Sequence, residues 1–288
     1  MTMTAAPARP VTQAEIDAYK RDGAVVLRGI MPVEWVDLAR EAVEEVHAER
    51  SNAEFFGDGN RSFLANMNGP RNDKVRRYLM ESPVASIAGT VHGASSLHYF
   101  LDQIFYKAAG PVVRTDWHQD TPYLSITGRD VVRAWLPCDP APRRIALQFV
   151  SGSHRWGVTY GTAPLPKDEE TVKPADGGYS VAELQSDSTA PPLPDINANP
   201  EAYEIVGWDV ELGDLVVFDG HILHGAGDTP DHPMDRRALA IMFAGPQESF
   251  VKRPGHSIPD SGVVSKAELK TGDILSEHPE AYPVVWRA

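Results

Sequence analysis

The 288-residue sequence has one cysteine and fewer basic than acidic residues, and these two features limit the disulfides and the partners that the protein can have. Its one cysteine, Cys138, cannot form an internal disulfide, which is typical of a protein of the reducing cytoplasm. Lysine and arginine number 27 against 40 acidic residues, and the formal net charge is −13. A surface of that sign repels phosphate backbones, so we expect no nucleic-acid partner.

Long apolar runs are also missing. No segment approaches the roughly 20 apolar residues of a membrane helix, and the first ten residues lack the apolar core of a secretory signal. We therefore expect no membrane partner, a cytoplasmic location and a flexible N-terminal tail over residues 1–10. The rest of the chain, residues 11–288, is predicted to form one domain, because 42% hydrophobic residues suffice for a sizeable core. The oligomeric state is not indicated.

Helical patterns occupy the first third of the chain. Thr12 to Glu15 is a capping box, which predicts a helix that runs to about Lys20 and ends at Asp22-Gly23. A second helix is predicted from Pro32 to about Arg50, where apolar residues recur at helical spacing. Two shorter helices are predicted over residues 73–80 and 83–92.

Short β-prone segments follow, separated by glycine, proline and aspartate turns. Predicted strands cover residues 24–27, 97–107, 131–136, 145–150, 204–210, 214–218 and 237–243. Helices followed by many short strands predict a mainly β fold, an antiparallel sandwich or barrel with flanking helices. Residues 162–200 are rich in proline, glycine, aspartate and serine, and a loop of that length is typical of a lid or an insert.

The segment Asp116-Trp-His-Gln-Asp-Thr-Pro-Tyr123 contains two candidate metal ligands, His118 and Asp120. Residues two apart on an extended chain point to the same face, so the imidazole and the carboxylate are predicted to converge. Together they supply two ligands of a 2-His-1-carboxylate triad, which leaves three positions of a non-haem iron open. The pair alone is a weak signal, because the pattern is short.

A second segment supplies the third ligand. A predicted strand that ends at Phe218 leads into Asp219-Gly-His-Ile-Leu-His-Gly-Ala-Gly227, so His221 and His224 are both candidates. Further on, Arg236 opens another strand, and a guanidinium there could pair bidentately with the far carboxylate of an organic acid that binds the metal. Arg237 is predicted to point to the opposite face of that strand.

Taken in order, these motifs resemble the phytanoyl-CoA dioxygenase family of 2-oxoglutarate-dependent oxygenases. The resemblance rests on His118-x-Asp120, Gly213-Asp214-Leu215, His224-Gly-Ala-Gly227 and Arg236. The turn Ser151-Gly-Ser-His154 is similar to that family's Pro-Gly-Ser-His turn. The similarity extends from Asp22-Gly23 to about Phe243.

The resemblance implies a double-stranded β-helix, also called a jelly roll, with a cupin-like core. It implies iron(II) at His118, Asp120 and His224, because the family's last ligand directly precedes Gly-Ala-Gly. It also implies 2-oxoglutarate and O2 as co-substrates, with Arg236 at the far carboxylate of 2-oxoglutarate. The remaining co-substrate contacts that it implies are Gln103, Trp135 and Lys107. The implied function is dioxygenase oxidation, most simply hydroxylation, of a small organic molecule with release of succinate and CO2.

Two departures from the family pattern bear on the substrate and the co-substrate. Ala226 stands where relatives often carry a serine that helps to hold the carboxylate, and residues 139–144 replace the usual Asn-Gly turn. Two alternatives remain open. One is a non-catalytic jelly-roll protein that binds a small ligand, against which the triad and Arg236 argue. The other is a cupin-type metalloenzyme that does not use 2-oxoglutarate, but the His-x-His pattern of cupins is missing.

Overall fold

The computed structural model describes residues 5–49, 53–55, 61–161, 190–252 and 269–288, and its helices come first in the chain. Helix α1 spans Gln13–Asp22, α2 Val33–Glu49, α3 Asp73–Glu81 and α4 Val84–His92. Both bonds of the predicted capping box are present at Thr12, and α1 ends at Gly23. Gly23 has φ 83°, a left-handed conformation that favours glycine. All four helix predictions are confirmed. None of the helices in the described ranges is long and apolar enough to span a membrane.

Residues 5–10 of the predicted flexible tail make contacts with other parts of the protein. The backbone N–H of Ala5 donates to the carbonyl of Glu81 at 2.7 Å, and that of Ala8 donates to Ile30 at 2.9 Å. Arg9 forms an ion pair with Glu15 at 2.5 Å. These residues are held by partners distant in the chain, which local composition does not reveal. Residues 1–4 lie outside the described part.

Among the described residues, eight strands form the larger sheet, and every neighbouring pair in it is antiparallel. In spatial order they are β1 (Ala24–Leu27), β10 (Leu215–Asp219), β7 (Val131–Pro137), β12 (Arg236–Ala244), β4 (Ser96–Lys107), β3 (Ser62–Asn66) and β2 (Ala53–Phe55). The last strand, β14 (Val284–Arg287), also pairs with β4. The strands β2, β3 and β14 were not predicted, because none has a strong pattern of its own and each depends on its neighbour: β3 and β14 pair with β4, and β2 pairs with β3.

A smaller sheet of four strands lies opposite. Its order is β5 (Thr115–His118), β11 (His224–Ala226), β8 (Leu147–Val150) and β9 (Ile205–Gly207). A separate two-stranded antiparallel sheet pairs β6 (Ile126–Thr127) with β13 (Ser249–Phe250). Strand β8 begins later than predicted, since the N–H groups of Ile145 and Ala146 both donate to the carbonyl of Pro142 in a turn.

Two apolar layers hold these parts together. The helices pack on the outer face of the larger sheet, where Val36, Ile87 and Leu239 are among the buried residues. The inner layer lies between the sheets, and the rings of Phe149 and Phe218 approach to 5.1 Å across it. Burying a side chain of this kind contributes about 1.5–3 kcal/mol relative to leaving it exposed. The prediction of a mainly β fold with flanking helices is confirmed.

The predicted insert divides into two parts. Residues 162–189 lie outside the described ranges, so the lid prediction is untested there. Residues 190–200 belong to the folded body. Ile196 is 1% exposed and packs with Val150 and Leu223 against the smaller sheet.

Candidate metal centre

Three metal-ligating side chains meet between the two sheets. His118 ends β5 and His224 begins β11, and the antiparallel register of these strands places the two histidines directly opposite each other. Oδ1 of Asp120 lies 3.7 Å from Nε2 of each histidine. Within the described ranges, His118, Asp120 and His224 are the only group of three or more His, Cys, Asp or Glu residues whose ligand atoms all lie within 4.8 Å of one another.

The route by which Asp120 reaches this point differs from the one predicted. Strand β5 ends at His118, and Asp120 has helical angles, φ −73° and ψ −43°. It precedes a 3-10 turn over Thr121–Tyr123, in which the N–H of Tyr123 donates to the carbonyl of Asp120 at 3.0 Å. The explanation from an extended chain is therefore wrong, because a turn rather than strand alternation carries the carboxylate to the histidines.

Backbone carbonyls fix the orientation of both imidazole rings. Nδ1 of His118 lies 2.8 Å from the carbonyl oxygen of Asp116, and Nδ1 of His224 lies 3.1 Å from that of Ile222. A carbonyl oxygen only accepts, so in the neutral form of each ring Nδ1 carries the proton and Nε2 keeps its lone pair. Both lone pairs are thus available to a metal ion.

Burial and charge set the protonation of the site. Burial acts to raise the pKa of Asp120, but Arg133 and the two histidines outweigh it and lower the pKa to about 2. Burial lowers the pKa of His224 to about 3, and His118 acts in the same direction. At neutral pH the site therefore holds an ionised carboxylate and a neutral His224 imidazole, which are the forms that bind metals.

His221, the other candidate for the third ligand, has a different partner. Its Nδ1 lies 3.1 Å from Oδ1 of Asp219, and its backbone N–H donates to the same oxygen at 2.8 Å. His221 is not part of the ligand group, whereas His224 is. Of the two candidates, His224 is therefore the third residue of the ligand group.

Arg133 belongs to the site, although the sequence analysis did not single it out. This residue is 4% exposed in the middle of β7, and its Nη1 donates to Oδ2 of Asp120 at 2.7 Å. A signal was present, because an arginine inside the apolar strand Val131-Val-Arg-Ala-Trp135 needs a partner of opposite charge. The sequence did not show which carboxylate that partner is.

Arg236 and Arg237 differ sharply in their surroundings. Arg236 is 8% exposed, its guanidinium carbon lies 5.7 Å from the ring of Trp135, and burial lowers its pKa to about 10. In the part of the chain that is described, it pairs with no carboxylate and its Nε has no hydrogen-bond partner. Arg237 instead donates to Asp139 at 2.7 Å and to Glu44. The two arginines therefore point to opposite faces, as strand alternation predicts.

Gln103 and Lys107, two further residues of the implied co-substrate pocket, lie on β4. Gln103 is 8% exposed, accepts from Arg133 and donates to Oδ1 of Asn66 at 2.8 Å. Lys107 is 9% exposed, is the register partner of Arg236 and donates to the carbonyl of Val113 at 2.7 Å. The contacts of both residues with a co-substrate stay predictions.

Comparison with known proteins agrees with the geometry of this metal centre. The sequence profile of the phytanoyl-CoA dioxygenase family matches residues 19–238, well over half of the chain. The chain belongs to this family. Phytanoyl-CoA dioxygenase relatives are 2-oxoglutarate-dependent non-haem iron oxygenases, and this member carries their triad at His118, Asp120 and His224. The predicted enzyme class is confirmed, and both alternatives to it are set aside.

Solved structures agree with this phytanoyl-CoA dioxygenase fold. The carbocyclase SnoK of nogalamycin biosynthesis, a non-haem α-ketoglutarate-dependent enzyme, is 20% identical, with 97% of this chain and 98% of that chain covered and a TM-score of 0.70. The epimerase SnoN of the same biosynthesis is 19% identical, with 96% of each chain covered and a TM-score of 0.67. EctD from S. alaskensis is 16% identical, with 90% and 85% covered and a TM-score of 0.65.

These likenesses confirm the predicted double-stranded β-helix. SnoN has been solved with Fe3+ and α-ketoglutarate, and EctD with 2-oxoglutarate and 5-hydroxyectoine. No curated protein matches the sequence.

Proposed function

We propose that the protein is an iron(II)- and 2-oxoglutarate-dependent dioxygenase that hydroxylates a small organic molecule. His118, Asp120 and His224 would hold the iron, and Arg236 would hold the far carboxylate of 2-oxoglutarate. Iron(II) with 2-oxoglutarate and O2 supplies an oxidant that attacks a C–H bond, while succinate and CO2 are released. The protein's own part is to bind, to orient and to exclude water.

The observation that carries the proposal is the buried guanidinium of Arg236, which pairs with no carboxylate of the described residues. A buried charge normally has a partner, because transfer out of water costs several kcal/mol that only pairing offsets. Two neighbouring arginines obey this rule, since Arg133 pairs with Asp120 and Arg237 with Asp139. Arg236 has no such partner within the described ranges. A carboxylate brought in by a ligand would satisfy it.

The triad also fits iron(II) chemically. Two neutral imidazole nitrogens and one carboxylate oxygen are the ligands of the non-haem iron oxygenases, and they leave three positions for other ligands. Nε2 of each histidine keeps its lone pair because Nδ1 is bound to a backbone carbonyl. The donor set and Arg236 therefore suit the two ends of one molecule, a 2-oxo acid with a distant carboxylate.

Trp135 would form one wall of this co-substrate site. Its ring lies 5.7 Å from the guanidinium carbon of Arg236, and it is 3% exposed. An aromatic face beside the guanidinium limits the directions in which Arg236 donates and keeps water from it. The result is an anion site that does not need the serine that Ala226 replaces.

Hydroxylation is the simplest outcome, but related folds serve others. SnoK is described as a carbocyclase and SnoN as an epimerase. We therefore propose the substrate class as a small organic molecule without naming it.

Anaerobic binding tests the co-substrate directly. Iron(II)-loaded protein should develop a charge-transfer absorption band when 2-oxoglutarate is added, because a 2-oxo acid chelates the iron. The band should be absent from His224→Ala, which lacks one ligand. A wild-type protein that binds iron(II) but not 2-oxoglutarate would contradict the proposed function.

Aerobic turnover then tests the reaction. Candidate small molecules should stimulate succinate release above the slow rate seen with 2-oxoglutarate alone, and mass spectrometry should detect a gain of one oxygen. A product that gains no oxygen and loses two hydrogens would indicate cyclisation or desaturation instead of hydroxylation.

A further inference from the structure

The two oxygens of Asp120 have separate partners. Oδ1 faces Nε2 of His118 and of His224 at 3.7 Å each. Oδ2 accepts a hydrogen bond from Nη1 of Arg133 at 2.7 Å. A carboxylate can bind a metal through one oxygen or through both. In this site Oδ1 faces the two histidines, whereas Oδ2 already accepts from Arg133.

Arg133 is itself held in place from several sides. Its Nη2 donates to Oε1 of Gln103, whose amide nitrogen donates to Oδ1 of Asn66 at 2.8 Å. Its guanidinium carbon lies 5.7 Å from the ring of Phe105 and 5.8 Å from that of Phe218. The planar fork of the guanidinium thus joins Asp120 to β4 through two fixed donors. This arrangement resists rotation of the carboxylate.

The orientation of the Asp120 carboxylate decides how many positions on the metal stay open. Three protein atoms in an octahedral site leave three positions, of which a 2-oxo acid takes two and the last is left for the second co-substrate. If Oδ2 also bound the metal, it would take that last position. A carboxylate without a partner for Oδ2 would be free to do this.

We propose that Arg133 is a positioning residue that keeps Asp120 a one-oxygen ligand and so keeps the last metal position open. The inference rests on the proposed function for the identity of the co-substrates. It differs from a purely structural role, in which Arg133 only neutralises a buried carboxylate. In that case, the protein's stability would depend on Arg133 but the number of open positions would not.

Nitric oxide, a stand-in for O2 that binds iron(II), distinguishes the two roles. Iron(II)-loaded Arg133→Met with saturating 2-oxoglutarate, kept anaerobic, should bind nitric oxide at least about tenfold more weakly than wild type, a size typical of changes beside a metal ligand. Electron paramagnetic resonance of the nitrosyl signal measures this affinity. Arg133→Lys should recover much of it, because an ammonium can still donate to Oδ2.

Controls separate the possible outcomes. Arg237→Met removes a neighbouring guanidinium that pairs with Asp139 instead, and it should bind nitric oxide like wild type. Wild-type nitric oxide affinity in Arg133→Met would overturn the proposal. Loss of iron(II) from a folded Arg133→Met would also overturn it, because Arg133 would then be needed to assemble the triad.

A second variant covers the case in which Arg133→Met does not fold. Gln103→Leu leaves the pair of Arg133 and Asp120 intact but removes the second anchor of the guanidinium. Its nitric oxide affinity should fall by about threefold at saturating 2-oxoglutarate, a smaller change than removal of the arginine itself. Unchanged affinity there would count against the proposal. A failure of the proposed function would instead be seen earlier, as no binding of 2-oxoglutarate to wild type.

Discussion

The Nε2 atom of His224 lies 3.7 Å from Oδ1 of Asp120, although the two residues are far apart in the chain. The pairing of β11 with β5 brings them together, because it sets His224 opposite His118 in register. The metal centre therefore depends on one strand pair of the smaller sheet and on the turn that follows β5.

The first prediction concerns the ligands. His118→Ala, Asp120→Ala and His224→Ala should each abolish succinate release and lower iron(II) affinity by at least about 100-fold, because each removes one of three ligand atoms. Iron content after gel filtration and succinate assays measure both. His221→Ala is the matched control, since His221 is bound to Asp219, and it should keep its iron. If His221→Ala lost its iron and His224→Ala did not, the third ligand would be His221 instead of His224.

The second prediction concerns the co-substrate. Arg236→Met should weaken 2-oxoglutarate binding about 100-fold, or about 2.7 kcal/mol, because the far carboxylate would lose the buried guanidinium that is proposed to pair with it. Titration of the charge-transfer band measures the affinity. Oxalate chelates metals but is too short to reach Arg236, so its affinity should not change. Arg237→Met should bind 2-oxoglutarate normally, and a reversed ranking of the two arginines would refute the assignment.

The third prediction concerns pH. An unfolded histidine takes up a proton as the pH falls through about 6.5, whereas burial keeps His224 neutral down to about 3. The unfolded state therefore gains protons first, and the stability of the metal-free protein falls as the pH falls. Between pH 7.5 and 5.5, the protonation of His224 in the unfolded state should lower the free energy of unfolding by about 1 kcal/mol. Asp120 titrates below this window, with a pKa of about 2.

Urea unfolding of the metal-free protein at the two pH values checks this change. Wild type should lose about 1 kcal/mol more than His224→Gln, which cannot be protonated. Burial also lowers the pKa values of His92, His154 and His232, so both proteins should lose some stability. Equal losses in the two proteins would show that His224 is not held neutral.

The fourth prediction concerns Gly225, which follows the last ligand. A Cβ atom there would lie 2.8 Å from the carbonyl oxygen of Thr115, a backbone atom that cannot simply move aside. Gly225→Ala should therefore push β11 away from β5 and lower iron(II) affinity at least about tenfold. Ala226→Gly is the control, because it removes a methyl group and adds no contact. Its cost should be about 1 kcal/mol of stability, with iron binding retained. Equal iron affinity in the two variants would contradict the close approach of the strands.

The helices and most strands of the larger sheet could be predicted from the sequence because their signals are local. The capping box at Thr12 and the glycine at position 23 define α1 through neighbours in the chain. The three ligands could likewise be predicted, since His118 and Asp120 share one short motif and the resemblance to the phytanoyl-CoA dioxygenase family favours His224 over His221. The alternation of side chains along a strand also predicted that Arg236 and Arg237 point to opposite faces of β12.

Tertiary structure decided what depends on partners far apart in the chain. It turned Asp120 out of the strand into a 3-10 turn, paired its second oxygen with Arg133, and left Arg236 without a carboxylate in the described ranges. It also tied residues 5–10 to the body of the protein through Glu81 and Ile30. Caps and periodicities act over a few residues, so sequence alone determines the elements and the ligand types. The distribution of hydrogen bonds around a buried charge is set by residues that only folding brings together.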